Sequence, residues 1–160
     1  MLARTQHSPL GTGGGLRIAL PLLRSETLLA MNGDSYAAVD LGLIAALHRR
    51  RKATATMLLA EVDDAARYGR VEIDEDGQVL QFVEKGEAGP GLINAGVYVL
   101  QRSVVAAIPE GRAVSLERET FPSLIGGRFF GEPGSFAFMD IGTPESYAAS
   151  SEFFQRAQGR

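Results

Sequence analysis

One short stretch constrains this chain more than any other. Leu28-Leu29-Ala30-Met31-Asn32-Gly33-Asp34 is an apolar run that ends abruptly in a small polar turn carrying a carboxylate. Such a run, bounded by turn residues, suits a buried parallel strand. Ligands of open α/β sheets bind just beyond the carboxyl ends of their strands, which puts Asp34 at the rim of a cleft. Gly33 lets the backbone turn there without a Cβ clash. The pattern returns downstream as Phe136-Ala137-Phe138-Met139-Asp140-Ile141-Gly142-Thr143-Pro144-Glu145. Two strand-end aspartates can share one hard cation, although a lone Asp beside Gly more commonly just shapes a turn.

Composition narrows the class. A chain of 160 residues is long enough for one domain with a real core, and 45% apolar with 22% charged residues reads as globular. A net charge of -3 without a long basic stripe argues against nucleic acid as a partner. The absence of Cys excludes disulfides, thiolate catalysis and cysteine-based metal sites. No apolar stretch approaches the roughly 18 residues of a membrane span. The first residues lack a signal-peptide core, so a cytoplasmic protein is expected.

The glycine-rich run Pro9-Leu10-Gly11-Thr12-Gly13-Gly14-Gly15 reads as a loop leading into a helix that begins with Leu16 to Leu20 and ends around Pro21-Leu22-Leu23. Backbone amides at such a junction can approach a ligand and favour negative charge. Leu41, Ile44 and Leu47 recur at helical spacing after Val39-Asp40, and His48-Arg49-Arg50-Arg51-Lys52 closes that helix as a solvated basic end. Residues 53–62 form a buried strand. The alternation of 70–74, the turn Glu75-Asp76-Gly77 and the return over 78–85 predict a hairpin. Its carboxylates Asp74, Glu75 and Asp76 read as surface charges, and Glu84-Lys85 close it.

Residues 92–100 form another strand, in which Asn94 and Gly96 are unusual and suggest close approach of a ligand or backbone. A short helix over Val104–Ile108 follows. Ser115 caps a turn with a capping-box acid, and that helix would carry Phe121, Leu124 and Ile125 inward. Phe129-Phe130 and 136–139 are short strands. Thr143 and Pro144 start a final helix docked by Tyr147, Phe153 and Phe154.

In order, Leu10-Gly11-Thr12-Gly13-Gly14, Asn32-Gly33-Asp34, Tyr68-Gly69-Arg70-Val71, Val83-Glu84-Lys85, Asn94-Ala95-Gly96-Val97-Tyr98, Ser115-Leu116-Glu117 and Asp140-Ile141-Gly142-Thr143-Pro144-Glu145 resemble the sugar-1-phosphate nucleotidyltransferases. Within that family the chain looks most like guanylyltransferases for mannose 1-phosphate or D-glycero-D-manno-heptose 1-phosphate. The resemblance implies an α/β, three-layer Rossmann-like nucleotidyltransferase domain over residues 1–160. Its sheet would be mixed and mainly parallel, with helices on both faces and an excursion hairpin near 70–84.

The resemblance also implies a reaction, in which a sugar 1-phosphate oxygen attacks the α-phosphorus of a nucleoside triphosphate and pyrophosphate leaves. Asp34 and Asp140 would hold Mg²⁺ and serve catalysis together with Lys85. Leu10, Gly11, Thr12, Gly13, Asn32 and Gly33 would bind the nucleotide. Tyr68, Gly69, Glu84, Lys85, Asn94 and Gly96 would form the sugar-phosphate pocket.

The chain departs from the family pattern in having neither the opening Gly-x-Gly-Thr-Arg loop nor the Pro-Lys-Pro segment that bind the triphosphate. It resembles the carboxyl-terminal two-thirds of a member, expected to be weak or inactive alone. An uncovered sheet edge would favour self-association. Two alternatives stand beside this reading. One is a non-catalytic module of the same family that binds sugar phosphate or a partner subunit; the other is a metal-dependent glycosyltransferase, against which Glu84-Lys85 and Asn94-Ala95-Gly96 argue.

Overall fold

The computed structural model describes residues 9–83, 86 and 88–158. In chain order the elements are α1 (Gly11–Ala19), β1 (Thr27–Met31), β2 (Ser35–Ala37), α2 (Leu41–Arg50), β3 (Ala55–Val62), β4 (Arg70–Ile73), β5 (Val79–Val83), β6 (Gly91–Gln101), α3 (Arg102–Ala106), β7 (Phe129–Gly134), β8 (Phe138–Asp140) and α4 (Pro144–Gln158). A π-helical turn (Leu116–Thr120) and a 3₁₀ turn (Pro122–Leu124) lie between α3 and β7.

The central sheet has the order β1-β6-β3-β7, and β2-β8 and β4-β5 form separate two-stranded ribbons. The expected mixed α/β architecture is observed. β1, β3 and β7 run in one direction and β6 runs against them. Because β6 lies between β1 and β3, two of the three ladders are antiparallel and only β3-β7 is parallel. The expected surroundings of β1 are corrected accordingly. It pairs antiparallel with β6, buries Leu28, and leaves Leu29 48% and Met31 54% exposed.

Alternation along β3 and β6 sends side chains to two cores. Ala55, Met57, Leu59, Tyr98 and Leu100 join Val105, Phe121 and Phe129 on one face. Leu58, Ala60, Ile93, Ala95, Val97 and Val99 meet Ile44 of α2 on the other. The β4-β5 hairpin is present as expected. Its turn is built by Asp74, whose carboxylate accepts from Asp76 N at 3.0 Å and Gln78 N at 2.8 Å. Asp74 is therefore a turn-forming residue, not a bare surface charge.

Four local expectations change. The glycine-rich run is itself helical, since α1 begins at Gly11. Asp40 caps α2 through Gly42 N and Leu43 N, but the helix does not end in solvent throughout, because His48 is fully buried. His48 lies four residues after Ile44 and thus on the inward face. Ser115 caps its turn as expected, with its Oγ accepting from Arg118 N and Glu119 Oε1 accepting from Ser115 N. The turn breaks at Phe121-Pro122, so Phe121 is buried while Ile125, already extended, is 37% exposed. On α4, Phe153 and Phe154 meet the Tyr36 ring at 5.9 and 5.0 Å, but Tyr147 is 67% exposed and docks nothing.

Candidate functional site

Three turns converge beyond the end of β1. The Asn32-Gly33-Asp34 turn leads straight into β2, which pairs antiparallel with β8 in the register Ser35↔Asp140. Ile141 N donates to Asp34 O at 2.8 Å. That ribbon brings the two distant aspartates to one place. A Cβ built on Gly142 would lie 2.9 Å from Asp140 Oδ1 and 3.8 Å from Asp34 Oδ2, so the carboxylates meet around a residue with no side chain. Gly142 N donates to Asp140 Oδ1 at 2.6 Å, which orients that carboxylate.

The second turn is a bulge in β6. Its pairing with β3 jumps from Tyr98↔Met57 to Asn94↔Leu59. At the bulge Gly96 takes φ +75°, and a Cβ there would fall 2.5 Å from Ser35 Oγ and 2.9 Å from Asn32 Nδ2. Only glycine permits so close an approach in that conformation. Asn32 N donates to Gly96 O at 2.8 Å, and Asn94 Oδ1 accepts from Gly96 N at 2.9 Å. Asn94 and Gly96 therefore adjoin the Asp34 turn.

The third is the start of α1. A cleft of about 720 Å³ is lined by Gly11, Thr12, Asn32, Gly33, Asp34 and Tyr98, with Leu29, Met31 and Leu116 among its apolar wall. Leu10 and Gly13 do not line it. Leu10 O accepts from Val114 N at 2.9 Å, and Gly13 N and Gly14 N donate to Val114 O at 2.9 and 3.3 Å. The expected anion-accepting role of these amides is thus corrected, because Val114 O already occupies them. What α1 offers the cleft is its first turns, through Gly11, Thr12, Gly15 and Leu16; the missing Gly11 side chain makes room for the Val114 carbonyl, which a Cβ would meet at 2.5 Å.

Tyr68 packs edge-on against Phe138 at 6.4 Å, two residues before Asp140, and Gly69 turns the chain at φ +77°. Glu84 and Lys85 lie outside the described residues. Among the described residues no group of three or more His, Cys, Asp or Glu side chains gathers as a metal site. Ser35 escaped the sequence reading and Gly142 stood in a matched motif without a role, because both act through contacts that only the β2-β8 ribbon creates. Glu117 and Tyr98 stood in the matched motifs but had no assigned role there. No helix among the described residues is long and apolar enough to cross a membrane.

A mixed α/β sheet with paired aspartates beyond its strand ends, beside a glycine-lined cleft, is the arrangement of a nucleotide-handling α/β protein. Residues 1–157 match the family described as Nucleotidyl transferase, and the chain belongs to that family of enzymes. It is 40% identical over 151 residues to the mannose-1-phosphate guanylyltransferase of Mycobacterium tuberculosis, covering 92% of this chain and 42% of that protein. It is 31% identical over 151 residues to the D-glycero-alpha-D-manno-heptose 1-phosphate guanylyltransferase of Aneurinibacillus thermoaerophilus, covering 94% and 65%. Among solved structures, HddC from Yersinia pseudotuberculosis superposes with a TM-score of 0.83 at 33% identity, covering 93% of this chain and 64% of that one. The same protein complexed with GMP-PN superposes with a TM-score of 0.82. The chain thus spans between two fifths and two thirds of the length of these relatives.

Proposed function

We propose that this chain carries a guanylyltransferase site, which transfers GMP from GTP to a mannose- or heptose-type sugar 1-phosphate. The observation that carries the reading is the meeting of Asp34 and Asp140 around Gly142, beside Asn94 and Gly96 and next to the cleft at Thr12. The names of the relatives, and the nucleotide in the HddC complex, support guanine and these sugars.

In this reading Gly11 and Thr12 seat the base, and Asn32 and Gly33 flank the nucleotide. Asn94 and the main chain at Gly96 hold sugar hydroxyls, with Tyr68 and Gly69 bordering the pocket. Glu84 and Lys85 follow the hairpin, as hydrogen-bond acceptor and phosphate-binding cation. Two carboxylates around a bare glycine form a hard-oxygen donor set that fits Mg²⁺. Mg²⁺ held there would neutralise charge on the phosphates. A sugar 1-phosphate oxygen forms the new bond to the α-phosphorus, the α–β bridging bond breaks, and pyrophosphate carries away the electron pair. The residues contribute by alignment and charge placement, without a covalent enzyme intermediate.

One observation favours a second reading, a non-catalytic module that binds the same ligands. The amides of Gly13 and Gly14 are bonded to Val114 O and offer the triphosphate nothing. Pyrophosphate release from GTP, Mg²⁺ and mannose 1-phosphate separates the two. Turnover that disappears in Asp140→Asn supports the transferase. Ligand binding without turnover supports the module, and neither binding nor turnover overturns both.

A further inference from the structure

Glu117 is bonded to two residues that line the cleft, Thr12 and Tyr98. Its Oε2 accepts from Thr12 Oγ1 at 2.9 Å and from Ser115 Oγ at 2.8 Å, and its Oε1 accepts from the Tyr98 hydroxyl at 3.4 Å. The polarity of this network is forced from outside. Gly96 N–H can only donate, so it fixes Asn94 Oδ1 as acceptor and turns Asn94 Nδ2 toward Tyr98, which it meets at 2.8 Å. The Tyr98 oxygen is therefore an acceptor from Asn94, and its hydroxyl donates to Glu117 Oε1 at 3.4 Å, with the Asn32 side chain as a further partner of the phenol. Leu116 N–H donates to Thr12 Oγ1 at 2.9 Å and Arg118 N–H to Ser115 Oγ at 3.2 Å, so both of those hydroxyl protons also go to Glu117. Burial, together with the Glu117 charge, holds the Tyr98 phenol protonated far above its ordinary range.

Three hydroxyls thus share Glu117 as an acceptor. We propose that Glu117 is a positioning residue which fixes Asn94 through Tyr98 and Thr12 directly, and so couples the β6 bulge at Asn94 to the cleft at Thr12, the sugar and base halves of the site. The proposal rests on the functional reading for the names of those halves, but the network itself does not depend on it. Tyr98, 1% exposed and packed on Phe121 at 4.9 Å between ring centres, has no freedom to compensate for a lost partner. Glu117→Gln replaces one acceptor oxygen by an amide donor, and the three hydroxyl protons can no longer all be accepted.

The test follows the side-chain amide resonances of Asn94 by ¹⁵N NMR in the 160-residue chain, in Glu117→Gln, in Tyr98→Phe and in the double variant. Calorimetric titrations of each with mannose 1-phosphate and with GTP and Mg²⁺ accompany the spectra. Glu117→Gln is expected to move the Asn94 resonances, although the two side chains share no bond, and the movement is expected to vanish when Tyr98 is already Phe. Mannose 1-phosphate affinity should fall about tenfold in Glu117→Gln, with less than about a twofold further loss in the double variant. Asn94 resonances that stay in place in Glu117→Gln, or that move equally with Phe at position 98, overturn the proposal. Should Glu117→Gln fail to fold, Glu117→Asp, which draws the carboxylate back from the Tyr98 hydroxyl by one methylene, is followed in the same way, and the same two outcomes decide. A wild-type chain that binds neither ligand defeats the functional reading, while the Asn94 resonances still decide the role of Glu117.

Discussion

Gly96 and Asn32 are locked together main chain to main chain, with Asn32 N donating to Gly96 O at 2.8 Å and no room for a Cβ between them. Gly96→Ala forces an L residue into φ +75° and drives a methyl to 2.5 Å from Ser35 Oγ. The left-handed conformation alone costs about 1–2 kcal/mol, and the clash adds to it. The expected outcome is an unfolding free energy, from urea titration, lowered by that amount or more. Because Asn32 leads into Asp34, cation-dependent nucleotide binding should weaken as well. Wild-type stability in Gly96→Ala would show that the bulge relaxes without cost.

His48 is buried between Thr56 and Gln101. Its Nδ1 lies 2.9 Å from Thr56 Oγ1 and its Nε2 lies 3.1 Å from Gln101 Nε2, which also reaches Ala53 O at 3.4 Å. The Gln101 amide donates to Nε2, so the ring is neutral with its proton on Nδ1. Burial, and then the charge of Arg49, hold His48 below its ordinary value of 6.5. The unfolded chain therefore binds the proton more readily than the folded one. The stability contributed by neutral His48 is fully present above pH 6.5 and is lost as the pH falls from there toward the folded value. Urea midpoints between pH 7.5 and 5 should decline more steeply in the wild type than in His48→Gln. Parallel curves would contradict the assignment.

Thr12→Val keeps the shape of the side chain but removes both its bonds, to Glu117 and to Leu116 N. Thr12 is exposed, so water can replace part of what is lost, and the cost is about 0.5–1.5 kcal/mol. Thermal unfolding should show the loss, and Thr12→Ser, which keeps the hydroxyl, should recover most of it. A Ser variant no better than Val would assign the effect to the methyl group instead.

Lys85→Ala should weaken mannose 1-phosphate more than GTP, since a point charge on the sugar phosphate does not touch the base. Titration of the two ligands measures this, and equal losses would remove Lys85 from its assigned role.

The parts of the fold legible in the sequence were those with a local signal. The β4-β5 hairpin declared itself through Asp76-Gly77, the buried β3 through its unbroken apolar run, and α2 through Asp40 and the spacing of Ile44. The place of β6 between β1 and β3 has no local signature, because it follows from pairings across the whole chain, and with it went the surroundings of β1. The glycine run of α1 misled for a related reason. Its helical form is imposed from outside, as Val114 O takes two of its first amides. His48 could have been read as buried from its spacing to Ile44, but the basic run that follows it outweighed that signal. For the candidate site, Asp34, Asp140, Asn94 and Gly96 were all visible as odd residues at strand ends or within an apolar strand. Glu117 was read as part of a helix cap and of a matched motif, without a role in the site, because its partners at Thr12 and Tyr98 are distant in sequence.

The account rests on Asp34 and Asp140 acting as one cation site for a nucleotide. The most direct measurement is calorimetric titration of GTP with and without Mg²⁺ into the wild type, Asp34→Asn and Asp140→Asn. The predicted result is that Mg²⁺ tightens GTP binding in the wild type and that either substitution abolishes this gain with little change in unfolding temperature. GTP binding that ignores Mg²⁺, or a gain that survives both substitutions, would contradict it.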